Sequence, residues 1–228
     1  MNKIFYFDNA ATSFPKPQEV AASIYEYIQK FAANPGRSSH KLSIESAKKV
    51  FETRENLAKI FNFENSEHFI FTANATESLN IVLNGYLNEN DYILTTFLEH
   101  NSVLRPLNFL KKTKKININF IEFCPQNGID FDDFYEKLKD KTPKLVIINH
   151  ASNVTGKIVN LNKILDLKKE FKFKLLIDGA QTGGIYNYNL KEQDIDFLAL
   201  TGHKGLYGPQ GIGVLFIRNP EILNPLNT

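Results

Sequence analysis

Cysteine is nearly absent. Cys124 is the single one in 228 residues, so no intrachain disulfide can form. That fits a reducing compartment, and the expected localisation is cytoplasmic. Charge of one sign is also missing: 27 basic residues face 25 acidic ones, a net charge of +2. So even a balance offers no electrostatic footprint for nucleic acid or an anionic membrane, and neither is expected as a partner. Lys111, Lys112, Lys114 and Lys115 form one basic cluster, read as the solvated end of a helix. No apolar run approaches the length of a membrane span. The N-terminal run at 4–7 is stopped by Asp8 and is too short for a signal peptide. Internal repeats, low-complexity tracts and linkers are lacking. So are G-x-x-x-x-G-K-[ST] and G-x-G-x-x-G, which argues against a P-loop nucleotide site and a standard dinucleotide site.

What is present is an ordinary globular composition, 43% hydrophobic and 23% charged. The length suits one large domain, or one domain plus part of a second. Residues 4–7 read as a short strand. Val20, Ile24, Tyr27, Ile28 and Phe31 line one face of a helix over 18–33, which Asn34-Pro35-Gly36 breaks. A second helix spans 41–61. Strands then alternate with helices. The strands are expected at 69–72, 92–96, 116–122, 145–149, 175–178, 197–200 and 213–217. Helices are expected at 76–87, 103–111 and 132–138, and from the N-cap Asn160 to Phe171. Alternation of this kind implies right-handed crossovers and a mostly parallel sheet covered on both faces. The predicted fold class is therefore α/β, with seven strands following N-terminal helices.

Ligands of such sheets bind at the carboxyl ends of the strands. Polar residues gather there: Asn74 to Glu77, His100, His150 to Asn153, Asp178 with Gln181, and Thr201 to Lys204. Thr201-Gly-His-Lys-Gly205, with Gly208, Gly211 and Gly213 beyond it, has two readings. It is a glycine-rich turn containing a lysine, or a lysine wrapped in small residues so that backbone and a planar ligand approach closely. In the second reading, partial burial lowers the Lys204 pKa and makes its amine a nucleophile.

Asp178 caps an apolar run and is a turn residue or a buried carboxylate seeking a cationic partner. A lysine able to form a Schiff base, with a carboxylate one strand earlier, suits pyridoxal 5′-phosphate. The helix opening at Ala75-Thr76 offers free N–H groups to the phosphate. Thr76, Thr201 and His203 add donors. His100 stacks on the ring or is an unliganded loop residue. Asn153 and Gln181 bond the ring hydroxyl or satisfy loop backbone. His150 reads as structural. Glu99 orients His100 or faces solvent.

Seven motifs in order extend this reading over nearly the whole chain. They are Tyr6-Phe-Asp-Asn-Ala-Ala-Thr12, Asn34-Pro-Gly-Arg-Ser-Ser-His40, Phe71-Thr-Ala-Asn-Ala-Thr-Glu77, Glu99-His-Asn-Ser-Val103, Asn149-His-Ala-Ser-Asn-Val-Thr-Gly156, Asp178-Gly-Ala-Gln181 and Thr201-Gly-His-Lys204. With them the chain resembles the class V aminotransferases of the fold-type-I pyridoxal-phosphate enzymes, in the cysteine desulfurase-like branch. The resemblance implies a three-layer α/β/α large domain over 41–228. It also implies an N-terminal segment over 1–40 that belongs to a small domain, whose C-terminal part is absent.

Lys204 then carries the Schiff base and Asp178 faces the pyridine nitrogen. His100 stacks on the ring, and Gln181 and Asn153 lie near its hydroxyl. Ala75, Thr76, Thr201 and His203 hold the phosphate. Arg37 and His40 lie in a loop near the entrance. The implied substrate is a small amino acid, with cysteine favoured, and the full-length family is expected to be homodimeric. Cys124 is far from the family's nucleophilic cysteine and reads as incidental. Two alternatives stand beside this: another class V aminotransferase or lyase, and an inactive cofactor-binding or dimerisation module. Without its second domain, the helix over 18–33 is expected to leave an apolar patch exposed.

Overall fold

The computed structural model describes residues 5–225. Two helices, α1 (Gln18–Lys30) and α2 (Lys41–Ile60), precede the sheet. β1 (Phe69–Thr72), α3 (Ala75–Tyr86), β2 (Tyr92–Thr96), α4 (Asn101–Thr113), β3 (Asn117–Ile121) and α5 (Phe131–Asp140) follow. β4 (Leu145–Asn149), α6 (Leu161–Phe171), β5 (Lys174–Asp178), β6 (Phe197–Thr201) and β7 (Gly213–Ile217) complete it. The seven strands lie in the order β1-β7-β6-β5-β4-β2-β3. β7 runs antiparallel to both of its neighbours, and the other pairings are parallel. β1 therefore points the same way as β2 to β6, and six strands end at one edge.

The pleat sorts the core into two layers. Leu145 and Ile147 face α3 and α4, packing with Leu79, Val82, Leu83, Val103 and Leu107. Val146 and Ile148 face the other way, toward Phe134 of α5 and Leu161 and Ile164 of α6. Successive side chains of a strand point to opposite faces, so a strand covered on both sides must be apolar at every position. β4, β6 and β7 are buried throughout. Each fully buried Leu or Ile contributes about 1.5–3 kcal/mol, which makes this central block the rigid platform for the strand ends.

Several local expectations need correction. Residues 5–7 form no strand: Phe5 and Phe7 are 67% and 93% exposed, and Ile4 lies outside the described residues. α1 stops at Lys30, because Ser46 Oγ donates to the Phe31 carbonyl and holds that residue out of the helix. α4 starts at Asn101, earlier than the apolar pattern, because His100 Nδ1 accepts from Ser102 N and caps it. Lys114 is no solvated helix end: its Nζ donates to the carbonyls of Asn84 and Leu87. The expected apolar patch on α1 is only partial: Ile24 and Ile28 are exposed, while Val20 and Tyr27 are part-buried and the Tyr27 hydroxyl donates to Ser46 Oγ. No helix among the described residues is long and apolar enough to cross a membrane.

Candidate active site

The carboxyl edge of the sheet holds a cleft of about 140 Å³. Its first wall is the β1–α3 turn. Asn74 caps α3, its side chain accepting from Glu77 N at 2.9 Å, while Glu77 Oε2 accepts from Ala73 N at 2.5 Å. This reciprocal cap uses the flanking N–H groups and leaves those of Ala75 and Thr76, both on the cleft wall, without a partner among the described residues. They carry the positive end of the helix dipole. Gly213, paired with both Thr72 and Thr201, lets this turn lie close: a Cβ there would sit 2.5 Å from the Asn74 carbonyl carbon.

The opposite wall comes from β5 and β6. Asp178 is 3% exposed, and its Oδ1 accepts from Ala180 N at 3.0 Å. Burial raises its pKa; the Ala180 N–H and the neighbouring His100 and Lys204 oppose that rise. Lys204 is half-buried. Burial lowers its pKa, and Asp178 pulls it back up. Each senses the other, yet neither closes an ion pair within 4.0 Å among the described residues. The Thr201 hydroxyl at the end of β6 is buried without a hydrogen-bond partner.

The glycines around Lys204 serve a purpose other than ligand approach. A Cβ on Gly202 would meet Ile212 Cγ2 at 2.4 Å, and one on Gly205 would meet the Gly183 carbonyl oxygen at 2.3 Å. They let the 202–208 turn pack against neighbouring loops, which fixes where the lysine begins.

The remaining expected residues fall on the same cleft: His100, Asn153, Gln181 and His203 line it with Ala75, Thr76, Asp178, Thr201 and Lys204. All nine sequence candidates are thus together. Gln181 Nε2 donates to the Ala10 carbonyl at 2.9 Å, leaving its side-chain oxygen available. His40 caps α2 by accepting from Ser43 N. Cys124 sits in the β3–α5 loop, with its thiol donating to Gln126 Oε1, and does not line the cleft.

Glu99 neither orients His100 nor faces solvent. It is 7% exposed, and its Oε1 accepts from Thr96 Oγ1 and Asn149 N, both at 2.8 Å, tying β2 to β4. Burial pushes its carboxyl up to about 8. His150 lies behind the site, its Nδ1 2.5 Å from the Tyr188 hydroxyl, and burial pushes its pKa down to about 4.

Sequence reasoning missed several groups. Ser102 and Asn149 line the cleft from within motifs already singled out. Thr12, Ser13 and Lys16, from the N-terminal arm, reach the His203 carbonyl. The only local signal for them was the Tyr6-to-Thr12 motif.

The aminotransferase class-V family matches residues 5–227. A probable cysteine desulfurase of Pyrococcus abyssi is 39% identical over 219 residues, which are 94% of this chain and 53% of that protein. The apo structure of a cysteine desulfurase from Thermococcus onnurineus NA1 superposes with a TM-score of 0.91 at 36% identity, covering 99% of this chain and 56% of that one. A structure of SspA in complex with cysteine superposes at a TM-score of 0.87 and 26% identity, over 98% of this chain and 64% of that one. The chain spans about half the length of the curated relatives it matches.

Proposed function

The chain belongs to the aminotransferase class-V family, and on that premise we propose that its cleft binds pyridoxal 5′-phosphate and that the whole protein takes sulfur from cysteine. The family is pyridoxal-phosphate-dependent. One observation carries the reading: a half-buried Lys204 and a buried Asp178 share a cleft without closing on each other. A lysine and an aspartate held apart in a desolvated site leave room for a group that satisfies both.

The residues fit the cofactor. The unspent N–H groups of Ala75 and Thr76, the unpartnered Thr201 hydroxyl and the His203 ring form an anion-binding donor set. Asp178 closes no ion pair among the described residues, and a protonated ring nitrogen would provide one. When bound, pyridoxal phosphate supplies an aldehyde that a lysine amine can hold and a ring that accepts electrons. Lys204 offers that amine, and burial increases its neutral, nucleophilic fraction at a given pH. Its Nζ is also the group that carries a proton to and from the substrate carbon. His100, Asn153 and Gln181 line the same cleft, where His100 would stack on the ring and the two amides would serve its hydroxyl.

Cysteine as substrate draws support from the desulfurase relatives and from SspA, solved with cysteine. In this reading the whole protein is a homodimer, as the class V resemblance implies. Its sulfur-accepting thiol is not Cys124, which lies outside the cleft.

The test is borohydride reduction of the chain after incubation with pyridoxal phosphate, followed by peptide mass mapping. The label is expected on Lys204 and is lost in Lys204→Ala. A label that survives this substitution overturns the assignment.

A further inference from the structure

The open pair in the cleft needs something to hold it open. Asp178 and Lys204 attract each other in a desolvated site, and a lysine has a flexible four-carbon stem with which to close the gap. What can be fixed is the root of that stem, and the N-terminal arm fastens there.

The His203 carbonyl belongs to the peptide that leads into Lys204. Thr12 Oγ1 donates to it at 3.0 Å, Ser13 N and Ser13 Oγ at 3.1 Å, and Lys16 Nζ at 3.0 Å. Lys16 Nζ also donates to Ser13 Oγ at 2.9 Å, which ties the donors to one another. The arm has a second mooring. The Ala10 carbonyl accepts from Gln181 Nε2 at 2.9 Å, in the loop that follows Asp178. Residues 10–16 therefore bridge the loop after β5 and the loop after β6, one on each side of the gap. Lys16 is part-buried and closes no ion pair among the described residues. A cation partly out of water and answered only by dipoles is a poor fastening for stability, so its place is explained by what it holds.

We propose that Lys16 is a positioning residue: by fastening the N-terminal arm to the peptide before Lys204, it keeps the Lys204 amine from closing on Asp178. This deepens the reading of the cleft as a pyridoxal-phosphate site, because the gap it preserves is the one a cofactor would enter.

The experiment uses the cofactor-free chain and reads the pH midpoint for trace acylation of Lys204 by acetic anhydride, by peptide mass spectrometry. Lys16→Met should raise the midpoint by about one pH unit, as the released amine reaches Asp178. Lys16→Arg keeps a charged donor and should stay with the wild type. Thr12→Val combined with Ser13→Ala loosens the same carbonyl and removes no charge; it should raise the midpoint by a smaller amount. Added to Asp178→Asn, Lys16→Met should change nothing. The urea midpoint of Lys16→Met should match that of the wild type. The proposal falls if Lys16→Met leaves the acylation midpoint in place or lowers it, if the neutral double variant has no effect, or if the rise persists without Asp178. A rise that comes only with a loss of stability also overturns it. If borohydride labelling of Lys204 fails in the wild type, the cofactor reading falls, and these midpoints still judge the role of Lys16.

Discussion

Two lysine–aspartate pairs sit at opposite edges of the same sheet, and they are built differently. At the amino edge, buried Lys168 meets buried Asp196 at 2.8 Å, and Lys174 meets the other carboxylate oxygen at 2.7 Å. Leu175 N also donates to Asp196 at 2.9 Å, so that carboxylate is saturated. At the carboxyl edge, Asp178 has the Ala180 N–H, and Lys204 stays apart from it. Identical side-chain chemistry serves as a closed fastening in one place and as an open site in the other. The difference is how completely each charge is answered. Composition cannot show this, and the register of the strand ends decides it.

The comparison can be broken most forcefully by removing one lysine from each pair. Lys168→Ala leaves buried Asp196 with only the more exposed Lys174 as a cationic partner and should cost about 3 kcal/mol in urea denaturation. Lys204→Ala removes a cation whose pKa burial already lowers, so its urea midpoint should match or exceed that of the wild type. Equal losses for the two variants would erase the distinction.

A smaller effect comes from Glu99, which holds the strand ends beside the open pair. Its carboxyl ordinarily titrates near 4.5 and is raised by burial to about 8. Between these values the folded chain keeps a proton that the unfolded chain releases, so stability falls as pH rises through this window. Glu99→Gln keeps the acceptor oxygen and has no proton to lose. It should match the wild type near about pH 5 and exceed it by about 1 kcal/mol or more near about pH 8.5. Urea midpoints at the two pH values check this, and a constant difference between the proteins would refute it.

The smallest expected effect sharpens the open pair itself. Asp178 raises the Lys204 pKa against the pull of burial. Asp178→Asn should therefore shift the pH midpoint for acylation of Lys204 by acetic anhydride downward, by up to about one pH unit. Mass spectrometry of the acylated peptide reads it. An upward shift would mean that Asp178 does not act on Lys204.

The sheet was legible because its central strands are buried on both faces and read as continuous apolar runs. Leu145 to Asn149 and Gly213 to Ile217 needed no partner to be recognised. The nine site candidates were legible because parallel strands deliver their carboxyl ends to one edge. What stayed hidden depends on distant partners. Glu99 reads as polar, and nothing nearby shows that Asn149 N will meet it. Residues 5–7 carry strand-like side chains, yet they join none of the seven strands of the sheet. The role of His100 as the cap of α4 is visible only in the folded turn.

β7 has a further consequence. It separates β1 from β6, and Phe69 pairs with Phe216 across nearly 150 residues of chain. On the ribosome β1 emerges early and β7 late, so β1 must wait as an open edge while the parallel strands assemble. The wall that presents Ala75 and Thr76 is anchored to that same strand. That wall is therefore secured only once β7 has been made, after the parallel strands of the sheet.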